Sequence, residues 1–247
     1  MDSYGQFCPI ARGAEVFAMR WTPLIVRNML LGCRTFGEIR EGLPGISKTL
    51  LSQRLRLLEH YGILEWRSNP NGRGSLYELT TAGKELQAVT NALGVWGSRW
   101  LELAPAHFDA GIVLWGLCKT VAADDLPAAR SVIRFNLRDG KHRRFWLLLE
   151  RPHAEVCANP PGFEEDVVVE TTQQWLTRWY VGEISLGSAI RQDLIKVRGP
   201  RPLVRKLASW GGLGRIDPQP AHDRLPSSTR AAAASSGRSR APSMRAR

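Results

Sequence analysis

The sequence predicts a two-domain α+β protein. An N-terminal winged helix-turn-helix domain is followed by a C-terminal α+β domain of antiparallel strands and helices, and then by a disordered tail. Three observations predict this. Residues 35–80 run in the order short helix, Pro/Gly turn, longer amphipathic helix and two alternating strands around a Gly-rich tip. From Leu126 the pattern changes to period-two alternation followed by helix-period segments, the order of an α+β domain. From Pro218 the composition turns to Pro, Ala, Ser and Arg without an aromatic residue, which cannot bury a core. The divisions are 1–103, a connector at 104–125, 126–217, and a basic tail at 218–247.

The 247 residues are 43% hydrophobic and 23% charged, an ordinary globular composition. The net charge of +11 is unevenly spread: residues 1–105 carry 12 basic and 9 acidic side chains, 106–217 carry 16 and 13, and 218–247 carry 6 and 1. High overall basicity therefore says little about what the folded part binds. Cys8, Cys33, Cys118 and Cys157 form no C-x-x-C pair, so no zinc ribbon or thioredoxin-like motif is signalled, and free thiols in a reducing compartment are expected. The first residues lack the apolar core of a signal peptide, and no apolar run reaches the roughly 18–20 residues of a membrane span. The expectation is a cytoplasmic protein without membrane insertion.

In chain order, Ile10 to Met19 is helix-like. Thr22 is the expected N-cap and Pro23 the first residue of a helix to Leu31, with Leu24, Ile25, Met29 and Leu30 inward. Thr35 with Glu38 has capping-box spacing. Ser47 caps a helix over 48–61, whose Leu51, Leu55 and Leu58 share the core face. Residues 63–67 and 76–79 alternate as a hairpin around Asn69–Gly74. Thr80 or Thr81 begins a long helix to about Leu101, striped by Leu86, Val89, Leu93, Trp96 and Trp100.

Within the connector, Ala110 to Thr120 is apolar and can form a helix. Strands follow at 131–137, 144–150, 155–158 and 166–171. A helix starting from Thr172, another at 186–192, a strand at 194–199 and a helix at 202–210 complete the domain.

The motifs C-P-I at Cys8, R-W-T-P-L-I at Arg20, F-G-E-I-R, L-P-G-I-S, L-S-Q-R-L-R-L-L-E, Y-G-I-L and Y-E-L-T-T-A-G occur in order over residues 8–101, with the late Trp96. In this the chain resembles the HxlR-type transcriptional regulators. The resemblance implies a homodimer and a recognition helix in the DNA major groove. Residues 126–212 are similar to sterol-carrier-protein-type lipid-binding domains, through F-W-L-L-L-E at Phe145, V-V-V-E-T-T at Val167, W-L-T-R-W-Y-V-G at Trp175, S-L-G-S-A-I at Ser185 and I-K-V-R-G-P-R-P-L-V-R-K-L at Ile195. That similarity implies a curved, mainly antiparallel sheet covered by helices, with an apolar cavity between them.

A recognition helix needs one buried face and one face that reaches base edges. Lys or Arg can bond guanine and Gln adenine, so Lys48, Gln53 and Arg56 suit direct readout, while Ser47, Thr49 and Ser52 suit phosphates or smaller base contacts. Arg54 lies nearer the flank. Arg73, at the hairpin tip, is placed to contact phosphate or minor groove. The bland alternative is a solvated helix and an exposed loop arginine. Trp96 and Trp100 mark a packing stripe, and residues 8–20 with 81–101 are the expected dimer surface. Cys8 resembles the N-terminal cysteine by which some family members sense oxidants, with Arg12 one turn on; a structural cysteine is the alternative. Trp146, Trp175, Trp179, Leu186, Ile190 and Ile195 are candidate lining for an apolar pocket, and equally suited to plain core packing.

No P-loop, G-x-G-x-x-G, G-x-S-x-G or H-E-x-x-H is present, and His153 and Cys157 have no third ligand in sight, so neither an enzyme, a metal site nor a cofactor is expected. The expected partners are operator DNA, a second copy of the chain and an apolar small molecule. The rival reading is a lipid carrier whose helix-turn-helix docks proteins; such a docking face would be apolar.

Overall fold

A computed structural model describes residues 3–70, 74–141 and 143–212. The N-terminal domain comprises helices α1 (Pro9–Phe17), α2 (Thr22–Leu30), α3 (Phe36–Glu41) and α4 (Lys48–His60), a hairpin of β1 (Leu64–Ser68) and β2 (Ser75–Leu79), and the long α5 (Thr81–Trp100). Local side-chain chemistry fixes the starts of α3, α4 and α5. The Thr35 hydroxyl accepts from the Glu38 backbone N–H at 3.3 Å, while the Glu38 carboxylate accepts from the Thr35 N–H at 2.9 Å, so both halves of the capping box close. Ser47 caps α4 by accepting from Leu50 N–H, and Thr80 caps α5 by accepting from Gly83 N–H. Burial resists charge on Glu38, yet its hydrogen bonds from Thr35 and Arg34 hold its pKa below the ordinary value.

One start differs from expectation. Trp21, at φ 78°, occupies the N-cap of α2, and Thr22 is inside the helix, fully buried, making no side-chain cap. The turn after α1 is so tight that the chain enters α2 one residue early. Within it Ile25, Val26 and Met29 go inward, while Leu24, expected inward, is 40% exposed.

β1 and β2 pair antiparallel from Leu64 opposite Leu79 to Ser68 opposite Ser75, and Thr35 adds a bridge to Leu76. Ile25, Ile39, Leu43, Leu51, Leu55, Leu58 and Leu64 form the core between helices and hairpin. α5 begins hard against that hairpin. A Cβ on Gly83 would sit 2.1 Å from the Ile63 carbonyl oxygen, so only glycine fits.

The second domain contains α6 (Ala110–Thr120), β3 (Ser131–Leu137), β4 (Arg144–Glu150), β5 (His153–Cys157), β6 (Val167–Thr171), α7 (Gln173–Tyr180), α8 (Leu186–Arg191), β7 (Lys196–Arg198) and α9 (Arg201–Ser209). The five strands lie in the order β5-β4-β3-β6-β7, antiparallel except for the central β3–β6 pair. The parallel pair has a simple cause. Three successive hairpin-linked strands end with β5 running like β3, and residues 158–166 carry the chain back to start β6 beside the start of β3. Ile133, Phe135, Leu147, Leu149, Val167 and Val169 turn one sheet face toward α6, α7 and α8, where Leu114, Leu117, Leu176, Trp179 and Leu186 complete the core.

The expected connector is only partly a connector. α6 buries Ala110, Val113, Leu114 and Leu117 in the second core, while its Trp115 is buried in the first. Arg73 and the tail at 218–247 lie outside the described residues. Among the described residues, no helix is long and apolar enough to cross a membrane.

Gly83→Ala is expected to destabilise the protein by about 1–3 kcal/mol, because a backbone carbonyl cannot step aside for the new methyl group. Thermal unfolding followed by circular dichroism measures it, and an unchanged midpoint contradicts the contact.

Candidate nucleic-acid interface

α4 presents two chemically distinct faces. Leu51, Leu55 and Leu58 are buried against the domain. Ser47, Lys48, Thr49, Gln53 and Arg56 are exposed, and Ser52 is half-buried at their edge. The 3.6-residue period of the helix places these six on one continuous surface. Among the described residues, no hydrogen bond or ion pair engages Lys48, Gln53 or Arg56. Ser47 uses an oxygen lone pair for the cap and keeps its hydroxyl proton to donate.

Arg54 behaves differently from its neighbours. Its Nε donates to the Arg20 carbonyl at 3.3 Å, which ties α4 to the turn between α1 and α2.

Two arginines, Arg67 on the wing and Arg34 in the linker before α3, were not singled out by the sequence. Arg34 and Arg67 both pair with Glu78, the former at 3.4 Å. The hydrogen bond from Arg67 holds the Glu78 carboxyl below the usual carboxylate range, with Arg34 adding to it. The two guanidiniums stay largely exposed. Only the hairpin register brings Arg67 and Glu78 together, so the sequence carried no local signal for the cluster.

The expected dimer surface is apolar and uncovered. Phe7 and Ile10 beside or within α1 are 98% and 81% exposed, and Val89, Leu93 and Trp96 on α5 are each about half exposed. Trp100 is half-buried. Of the thiols, Cys8 is half-buried at the N-cap of α1, and the nearby Arg12 guanidinium is engaged by Glu15 at 2.7 Å. Burial pushes Cys118 up to about 12 and Cys33 upward; Cys157 is raised by burial and by Glu155. These three are protonated thiols at neutral pH and poor nucleophiles.

The six candidate pocket residues do not converge. Trp179, Leu186 and Ile195 are buried together in the second core, with Trp175 half-buried at its edge beneath the Arg178 guanidinium. Ile190 is 41% exposed. Trp146 lies on the opposite face of the sheet, paired across to Arg134 and Cys157. Its indole N–H donates to Glu165 at 2.9 Å, and Glu165 also pairs with Arg134 at 2.8 Å. The returning segment 158–166 thus covers Trp146, which is why a tryptophan on the outer face is buried. Among the described residues, no cluster of His, Cys, Asp and Glu could hold a metal ion.

Comparison with known proteins fits this geometry. Residues 16–105 match the family described as HxlR-like helix-turn-helix. The HTH-type transcriptional regulator sll1512 of Synechocystis sp. is 36% identical over 99 residues, which cover 40% of this chain and 73% of that protein. The HTH-type transcriptional regulator YvaP of Bacillus subtilis is 31% identical over 106 residues, covering 42% of this chain and 96% of its own length. Among solved structures, the quinone-bound YodB from B. subtilis aligns at 32% identity and a TM-score of 0.32, over 37% of this chain and 97% of that one. The family match ends before β3 and carries nothing about the sheet domain. With α4 framed by its turn, its wing and its flanking helices, and with these relatives over the same stretch, the chain belongs to the HxlR-like helix-turn-helix family.

Proposed function

We propose that the chain is a cytoplasmic, sequence-specific, DNA-binding transcriptional regulator that works as a homodimer. The observation that carries this reading is the exposed, unpaired set Lys48, Gln53 and Arg56 on a helix whose other face is locked into the core. Its relatives' description as HTH-type transcriptional regulators supports it. The polarity of that face also weighs against the rival, a protein-docking module on a lipid carrier. Dimerisation is supported by the apolar strip of Phe7, Ile10, Val89, Leu93 and Trp96. A two-fold pair sets two recognition helices about 34 Å apart, one turn of DNA.

The proposal includes an input from the second domain, an apolar ligand held on the helical side of the sheet. Support comes from a mainly antiparallel sheet with helices over one face, the arrangement that the sterol-carrier resemblance implies. Cys8 is a second input in this reading, a free thiol beside the exposed apolar strip.

The test of DNA binding is a gel-shift titration against a random-sequence duplex library and the upstream region of the chain's own gene. Specific binding by the wild type, and its loss in the triple variant Lys48→Ala, Gln53→Ala, Arg56→Ala with an unchanged melting curve, is the expected result. Retained specificity in the triple variant rules out α4 as the reader.

Leu93→Asp with Trp96→Asp is expected to convert a dimer to a folded monomer in sedimentation velocity, since both positions are already half exposed and their monomer packing is slight. A wild-type protein that sediments as a monomer at micromolar concentration contradicts the dimer.

For the ligand, a native mass spectrum of the purified protein is expected to carry a co-purifying apolar small molecule. Its absence, with no uptake of fatty acid or sterol probes, removes the ligand from the proposal.

A further inference from the structure

The helix-turn-helix is not packed only by its own domain. Trp115 belongs to α6, whose Val113, Leu114 and Leu117 are in the second core, yet its ring is 6% exposed among residues of the first core. It lies against the turn that leads from α3 into α4. A Cβ placed on Gly42, the residue that ends α3, would be 2.5 Å from Trp115 Cζ2 and 2.4 Å from Asn28 Nδ2. The backbone of Gly42 and the indole are therefore in contact with no room for any side chain between them.

Polar groups lock the same place. The Arg27 guanidinium stacks over the Trp115 ring, 5.4 Å from its centroid, and donates to the Gly42 carbonyl at 2.9 Å. It also donates to the buried Asn28 carboxamide oxygen at 2.7 Å, and Asn28 Nδ2 donates to the Ile39 carbonyl at 2.8 Å. Two carbonyls at the end of α3 are thus satisfied by α2, beneath the lid of an indole from the other domain. One turn further along α6, Lys119 adds a favourable charge to the Glu38 carboxylate of α3.

We propose that Trp115 is a positioning residue for DNA reading: through it the second domain fixes the α3–α4 turn and thereby the presentation of Lys48, Gln53 and Arg56. This rests on the reading of α4 as a recognition helix. Trp115 touches no DNA in this scheme. Its removal loosens the turn, so the base-reading side chains lose their common register while the phosphate attraction of the basic surface persists.

The experiment uses the full-length protein with three substitutions, Trp115→Ala, Trp115→Phe and Gly42→Ala. The probes are a duplex selected by the wild type from a random library and a scrambled duplex of equal length. Trp115→Ala and Gly42→Ala are expected to weaken binding to the selected duplex by about tenfold and binding to the scrambled one by less than about twofold. Trp115→Phe, which keeps an aromatic ring over Gly42, is expected to recover most of the loss. Hydrogen exchange of residues 39–47 is expected to quicken in the first two variants. If Trp115→Ala does not fold, Trp115→Phe and Trp115→Leu carry the same comparison. Faster exchange without loss of specificity overturns the positioning role, as does a parallel loss on both duplexes. A wild type that selects no duplex at all overturns the recognition-helix reading itself, and exchange at 39–47 distinguishes that failure from a failure of the contact.

Discussion

The structure depends most on α6 serving two cores at once. Its Leu114 and Leu117 complete the second core, and Trp115 is inserted into the first. Burial of a tryptophan removes a large apolar area from water, and dispersion against Gly42 and Arg27 adds to that. An interface anchored this way is more rigid than the polar contacts that usually separate domains of one chain. It also explains why a buried Asn28 is tolerated in α2. Its amide satisfies the Ile39 carbonyl, a group at a helix end that would otherwise be buried without a partner.

The same economy governs charge in the reading domain, where 12 basic side chains face 9 acidic ones over residues 1–105. Many of the arginines already have work inside the protein. Arg12 pairs with Glu15, Arg27 with Asn28 and Gly42, Arg54 with the Arg20 carbonyl, and Arg34 and Arg67 share Glu78. Among the described residues, Lys48 and Arg56 have no such partner and share one face. Counterion release is indifferent to sequence and is modest for a weakly charged domain, so discrimination between sequences has to come from a few placed donors.

Much of this was legible from local chemistry. The Thr35–Glu38 box, the Ser47, Thr80 and Thr172 caps and the leucine spacing of α4 each act within one turn of chain, so the sequence states them directly. The illegible parts depend on which face or which partner a residue meets. Alternation over Phe145–Glu150 says that Trp146 and Leu148 share a face, but with apolar residues on both faces it cannot say which one the helices cover. The crossover at 158–166 decided it, by laying Glu165 over Trp146. Likewise the apolar pattern of 110–120 specifies a buried helix without telling that one of its residues belongs to a core made seventy residues earlier. Trp21, with its positive φ, broke the expected start of α2 because nothing in a tryptophan advertises a left-handed backbone.

Control of DNA reading by the second domain requires an element that both ends of the molecule contact, and a ligand that binds its two arrangements unequally. α6 meets the first condition. At Gly116 it is pressed by α7: a Cβ there would lie 2.6 Å from the Tyr180 hydroxyl. Gly116 is the residue next to Trp115, so a shift of α7 acts on α6 at the point where α6 grips the α3–α4 turn. α7 also carries Leu176 and Trp179, which cover the sheet. A chain of neighbours from the second core to the α3–α4 turn therefore runs Trp179, Tyr180, Gly116, Trp115 and Gly42.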